Sequence, residues 1–153
     1  NIEDNGEIID ELLHEIDVVN NCKKVFLIIM GKAFEKYDEE IEKNQQVLLA
    51  LSDIMIETYF SESTLKRTIK NIKRSSVNDQ SHQIEMAKLY IYEGSQIILK
   101  KSKDISISSC DNKTQKDLLD KVEQLVSYNE NPNIFAIKKS IADKIISENK
   151  YCF

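Results

Sequence analysis

The residues of this chain that could do chemistry are two histidines, three cysteines and acidic side chains at helical spacing. Glu11-Leu12-Leu13-His14 puts a carboxylate and an imidazole three residues apart, on one face of a helix. That is half of what a carboxylate-bridged two-metal site in a helical bundle requires. The other half needs a second such pair and two further Glu from facing helices. His82 has only Asp79 at the matching distance, in a stretch that reads as a turn. The set is therefore incomplete, and His14 reads as a histidine on an amphipathic helix. Two histidines without a nucleophile elbow give no hydrolase, and there is no glycine-rich phosphate loop. Cys22, Cys110 and Cys152 are odd in number and lack a CxxC pair, which favours neither a disulfide framework nor a zinc site. Free thiols fit a reducing, cytoplasmic setting. Glu62 lies at a core-facing register position, where a carboxylate must be paired or ride the solvated edge. Arg67 or a base from another helix could pair with it and fix register. Asp53 and Glu57 read as the exposed face of the same helix.

These side chains depend on the stretch Ile41–Arg74, which has no Gly or Pro. With Ile41 as an a position, the a/d pairs are Ile41/Asn44, Leu48/Leu51, Met55/Thr58, Glu62/Leu65 and Ile69/Ile72. Most are apolar, which is the period of a helix and not of a strand. Val47, Ala50, Ile54, Ile56 and Tyr59 widen the stripe, so the middle turns must be covered on more than one side. The spacing predicts one long helix at the centre of a bundle, with Asp38 as its N-cap. Before it, Glu7–Ile16 is a short amphipathic segment and Val18–Tyr37 a second helix, continuous with the first or bent at Asn20-Asn21. Ser75–Ser81 is rich in turn formers. A third long helix runs from about Gln80 to Lys103 on Ile84, Ala87, Ile91, Gly94 and Ile98. A mid-helix glycine costs about 1 kcal/mol, which a close helix–helix approach would justify. Asp104–Asn112 reads as a loop. Lys113–Tyr128 forms a fourth helix on Leu118, Leu119, Val122, Leu125 and Val126. Pro132 opens a last one on Ile134, Ile137, Ile141 and Ile145. Tyr151-Cys152-Phe153 is an apolar tail that suits docking against something else.

The totals agree. Three Gly and one Pro in 153 residues are too few for a β-rich fold. The expected class is all-α, an up-and-down antiparallel bundle of four to five helices forming a single domain over residues 1–153. A net charge of −5 argues against a nucleic-acid partner. The local cluster Lys66, Arg67, Lys70, Lys73 and Arg74 falls at a helix end, where cations complement the dipole. The longest strongly apolar run, Val25–Met30, is too short to span a membrane. The stripes look fully used in packing, so a membrane role is not expected. The chain starts at Asn1 with an acidic segment unlike a signal peptide, as a fragment of a longer protein would.

The segment QQVLLALSDIMIETYFSESTLKRTIKNI resembles one near the C-terminus of bacterial acyl-CoA dehydrogenases. The features are an apolar run, then Ser52-Asp53, Tyr59, Glu62-Ser63 and Leu65-Lys66-Arg67. The next helix, Gln83–Lys103, is similar to that family's next helix, and Ile141–Phe153 resembles the ending of bacteroidete-type members. The resemblance covers the chain from Val18 onward. It implies a parent FAD enzyme of fatty acyl-CoA oxidation with an N-terminal helical, a middle β and a third helical domain. The flavin lies between the last two, and a Glu abstracts the α-proton. This chain looks like an extra helical domain carried after these by longer members.

Tyr92-Glu93-Gly94-Ser95 is similar to the Tyr-Glu-Gly-Thr stretch that carries the catalytic Glu in many members. In the family that stretch lies upstream of the Glu-Ser-x-x-Leu helix, whereas here it follows it. Glu93 therefore reads as a surface residue. The resemblance thus implies no catalytic, cofactor-binding or metal-ligating residue in this chain, with FAD held by the parent enzyme. Its expected partners are the catalytic domains of the same polypeptide and a second subunit. Tyr151, Phe153 and the run Phe26–Met30 are the expected contact residues. The other reading is a self-standing helical module that binds a partner helix in a groove.

Overall fold

A computed structural model of the chain describes residues 10–74, 81–128 and 131–150. Within them lie five α-helices: α1 (Leu13–Tyr37), α2 (Gln45–Arg74), α3 (Ser81–Ser109), α4 (Asn112–Val126) and α5 (Ile134–Glu148). A 3-10 turn, Asp10–Leu12, precedes α1, and another, Asp38–Lys43, links α1 to α2. The all-α reading holds.

The three long helices carry the core. On α1, Val18, Val19, Cys22, Val25, Ile29 and Ala33 are buried at helical spacing. On α2 the buried row is Val47, Ala50, Leu51, Ile54, Leu65, Ile69 and Ile72. On α3 it is Ile84, Ala87, Ile91, Gly94, Ile98 and Ile105. Lys23 of α1 meets Glu62 of α2, and Asp53 of α2 meets Lys101 of α3. The Tyr37 hydroxyl at the end of α1 donates to the Ser108 carbonyl near the end of α3. Thus α2 runs antiparallel to both neighbours. α4 turns back onto α3 and α1, burying Leu118, Val122 and Val126, while α5 packs on α3.

Small residues meet where α2 and α3 cross: Ser61 on one helix faces Gly94 on the other. Thr58, Ser95 and Ser102 are buried small residues on the same two helices. The Thr58 hydroxyl donates to the Ile54 carbonyl at 2.7 Å and Ser95 to the Tyr92 carbonyl at 2.7 Å, so these hydroxyls are satisfied within their own helices. A Cβ on Gly94 would stand 3.0 Å from the Ser61 Oγ and 3.4 Å from the Glu57 Oε2. The mid-helix glycine is there for a close approach, as its position predicts.

Several boundaries differ from the sequence reading. The central helix begins at Gln45 and not at Ile41, although Ile41 is buried from the 3-10 turn. Asp38 does not cap it. Asp38 stands at φ 44° as the residue ending α1, its N–H donating to the Phe34 carbonyl. α1 passes through Asn20-Asn21 unbroken; Asn20 is exposed, and the Asn21 side chain accepts from Lys24 at 2.9 Å.

Asp104–Ser109 is not a loop but the last turn and a half of α3. Ile105 lies seven residues beyond Ile98 and is buried with it, so core burial outweighs poor local propensity. The Ser106 and Ser108 hydroxyls bond back to the carbonyls of Ser102 and Ile105. Lys100 pairs with Asp104 one turn on.

α4 starts at Asn112 because Asp111 caps it. One Asp111 oxygen accepts from the backbone N–H groups of Lys113 and Thr114, and the other from the Thr114 hydroxyl. Likewise α5 starts at Ile134, two residues after Pro132, because Asn133 accepts from the Ala136 N–H at 3.1 Å. Most of the expected turn Ser75–Ser81, and the whole tail Tyr151–Phe153, lie outside the described residues.

Gly94→Leu should drive a branched side chain into Ser61 and part α2 from α3. The expected loss is about 1–3 kcal/mol, measured as a lower urea midpoint at unchanged slope.

Candidate functional site

The side chains with chemical potential do not converge. Glu11 is exposed, whereas His14 turns its ring edge-on to Tyr128 at 4.5 Å between centroids. His82 stands on another helix, α3. Among the described residues no group of three or more His, Cys, Asp or Glu is placed to hold a metal ion. Glu93 is exposed and pairs with Lys138 of α5 at 2.6 Å. It is a link between helices. Cys22 is buried, and desolvation pushes its thiol up to about 12. Burial also raises the half-buried Cys110, and Cys152 lies outside the described residues. Neither described thiol is set up as a nucleophile, which would need a depressed pKa.

Glu62 is paired, though not with Arg67, which is exposed. Lys66 on its own helix and Lys23 of α1, at 2.9 Å, both reach its carboxylate. The base from another helix is thus Lys23, and it sets the register of α1 on α2. Hydrogen bonds from Lys66 and Lys23 hold the Glu62 carboxyl below the usual range. Asp53 and Glu57 were expected on the exposed face; both are half-buried and turn towards α3. Asp53 pairs with Lys101 at 2.6 Å, raising the lysine's pKa, and Glu57 faces Gly94 and Tyr90. Polar and apolar positions have exchanged places because α3 lies over the acidic side of α2.

What α2 turns outward is therefore apolar. Leu49 and Tyr59 are 64% and 65% exposed, and Met55, Ile56 and Phe60 are also exposed. Tyr59 and Phe60 stack edge to face. Leu49, Ile56 and Phe60 fall at intervals of seven and four, one stripe along the helix. The register marked by Lys23 and Glu62 brings Leu27 of α1 level with Tyr59, with Phe34 two turns further along α1 near the level of Leu51, and both are exposed as well. An open groove of about 450 Å³ between α2 and α3, lined by Leu49, Ala50, Lys101 and Ile105 among others, continues the surface.

The sequence reading had Ile56 and Tyr59 covered by neighbouring helices. Among the described residues none covers them. Of the run Phe26–Met30, only Leu27 is widely exposed, Ile29 is buried, and the rest are half-buried. The signal that could have found the strip is its angle. Ile56 and Phe60 lie opposite Ile54, Leu65 and Ile72 on the helix, a second apolar face and not a broadening of the first. α5 is similar. It carries Ile134, Phe135, Ile137, Ile141, Ile145 and Ile146 yet buries none of them.

A bundle that completes its own core and keeps an apolar outer face is what a part of a larger assembly looks like. A family model described as "Acyl-CoA dehydrogenase, C-terminal domain" matches residues 21–124. The chain belongs to that family. It is also 24% identical over 134 residues to a "Probable acyl-CoA dehydrogenase" of Bacillus subtilis (strain 168), a match over 88% of this chain and 22% of the relative. Among solved structures it is similar to an acyl-CoA dehydrogenase from Bacillus anthracis, crystallised in complex with FAD. The TM-score is 0.87 and the identity 26%, over 97% of this chain and 25% of that one. This acyl-CoA dehydrogenase C-terminal domain family member thus spans a quarter or less of the length of the relatives it matches. Among its described residues no helix is long and apolar enough to cross a membrane.

Glu62→Gln tests the register pair. A carboxyl held low in the folded state contributes stability at neutral pH and loses it as pH falls through its folded value. The substitution should cost about 0.5–1 kcal/mol at pH 7. In parallel urea titrations, the gap should close as the buffer passes below the ordinary glutamate range.

Proposed function

We propose that this chain is one domain, the C-terminal helical domain of a longer FAD-dependent acyl-CoA dehydrogenase that oxidises fatty acyl-CoA. Its role is to pack and to hold subunits together, and the chemistry is done elsewhere in that enzyme. The catalytic domains of the same polypeptide and a second subunit are its partners. A cytoplasmic setting fits the free, buried Cys22. No residue of the chain is assigned a catalytic, cofactor-binding or metal-ligating role, and FAD belongs to the parent enzyme.

The observation that carries this reading is the strip Leu27, Phe34, Leu49, Met55, Ile56, Tyr59 and Phe60, which lies outside a core that is already complete. Its support from the comparisons is length. The FAD-complexed relative has about three-quarters of its chain beyond the part matched here. Apolar surface of this extent is favourable only when it is removed from water.

The test is the intact gene product. It should be yellow and several times heavier than 17.7 kDa. The pair Tyr59→Asp and Phe60→Asp should lower its melting temperature or dissociate its subunits. The same pair in the 153-residue chain alone should change stability by no more than about 0.5 kcal/mol, as surface substitutions do. A colourless product of this chain's own size would overturn the reading in favour of a self-standing module.

A further inference from the structure

Buried polar atoms cluster where the start of α1, the middle of α3 and the end of α4 meet. Glu15 is 4% exposed, and its Oε2 is enclosed without a hydrogen bond. The same holds for the His14 Nε2 and the Tyr128 hydroxyl. They belong to one neighbourhood. The His14 and Tyr128 rings are in edge contact, and Tyr92 of α3 meets Tyr128 from its own side at 5.2 Å between centroids. Tyr128 is pushed upward first by its burial, and then by the charges of Glu15, Cys22 and Tyr92, which places all three near it.

A buried carboxylate with nothing donating to it is costly, and so is a buried hydroxyl. Three such atoms at one helix junction are polar enough to hold water, which typically makes about three hydrogen bonds to groups of this kind. The donor and acceptor count closes around a single molecule. A carboxylate only accepts, a phenol can donate, and an imidazole nitrogen takes either role according to tautomer. A water that donates to the Glu15 Oε2 and the His14 Nε2 and accepts from the Tyr128 hydroxyl satisfies all three. We infer that Glu15, His14 and Tyr128 form an internal hydration site that ties α4 to the start of α1. The site is structural and independent of the outer strip.

Oxygen-17 relaxation dispersion of the solvent around the full chain is the test, read together with urea unfolding. The parent should carry a long-lived buried water, and Tyr128→Phe should remove it. The same substitution should shift the folding equilibrium roughly tenfold towards the unfolded chain, the size of one lost hydrogen bond. Glu15→Gln keeps the shape and an acceptor oxygen, and should retain the water. A parent without a long-lived water would overturn the inference, as would a Tyr128→Phe chain that keeps it. So would a Tyr128→Phe chain as stable as the parent, because an unbonded hydroxyl costs nothing to remove. A high-resolution crystal structure with the Tyr128 hydroxyl bonded directly to Glu15 would overturn it too.

Discussion

The close approach of α2 and α3 is the constraint on which the rest of this bundle depends. Gly94 lets the backbone of α3 come within side-chain reach of Ser61 and Glu57 on α2. Ile54, Leu65, Ile84, Ile91 and Ile98 are the large buried residues of the two helices. α1 packs against both helices, and Lys23 pairs with Glu62 across its contact with α2.

The same closeness explains the surface. With α3 drawn onto the side of α2 that carries Asp53 and Glu57, the acidic residues become inter-helix partners of Lys101 and Tyr90. The opposite side of α2 is left bare. That side is the apolar strip of Leu49, Ile56, Tyr59 and Phe60. One geometric decision therefore yields both an inter-helix ion pair and an exposed apolar face. A chain that needed only to be stable alone would gain nothing from such a strip. In the function proposed above, the strip becomes an interface.

Much of the fold was legible in the residues. The rows Ile84, Ala87, Ile91, Gly94, Ile98 and Leu118, Val122, Val126 are buried as their spacing demands, and Gly94 lies at a close helix–helix approach, as expected. Helix ends were legible less well. Asp38, a good N-cap type, closes the helix before it, while Asp111 and Asn133 cap the two helices that follow. All three are the same kind of residue, and what separates them is which backbone N–H groups point at them. Ser106 and Ser108 made α3 look finished too early, because local propensity cannot register that Ile105 has a core to reach.

Periodicity by itself determined that this chain is helical, where its long helices lie and most of the rows that α3 and α4 bury. The repeat of apolar side chains is a local property of the covalent chain, and burial acts on it in the same way in any bundle. It could not decide which of two apolar faces of α2 would go inward, because both satisfy the same helical spacing. Only packing could choose. The face that meets Gly94 can approach closely enough to exclude water, while the face bearing Tyr59 and Phe60 cannot. Side-chain volume at one crossing point therefore settled which face of α2 lies inside and which stays exposed.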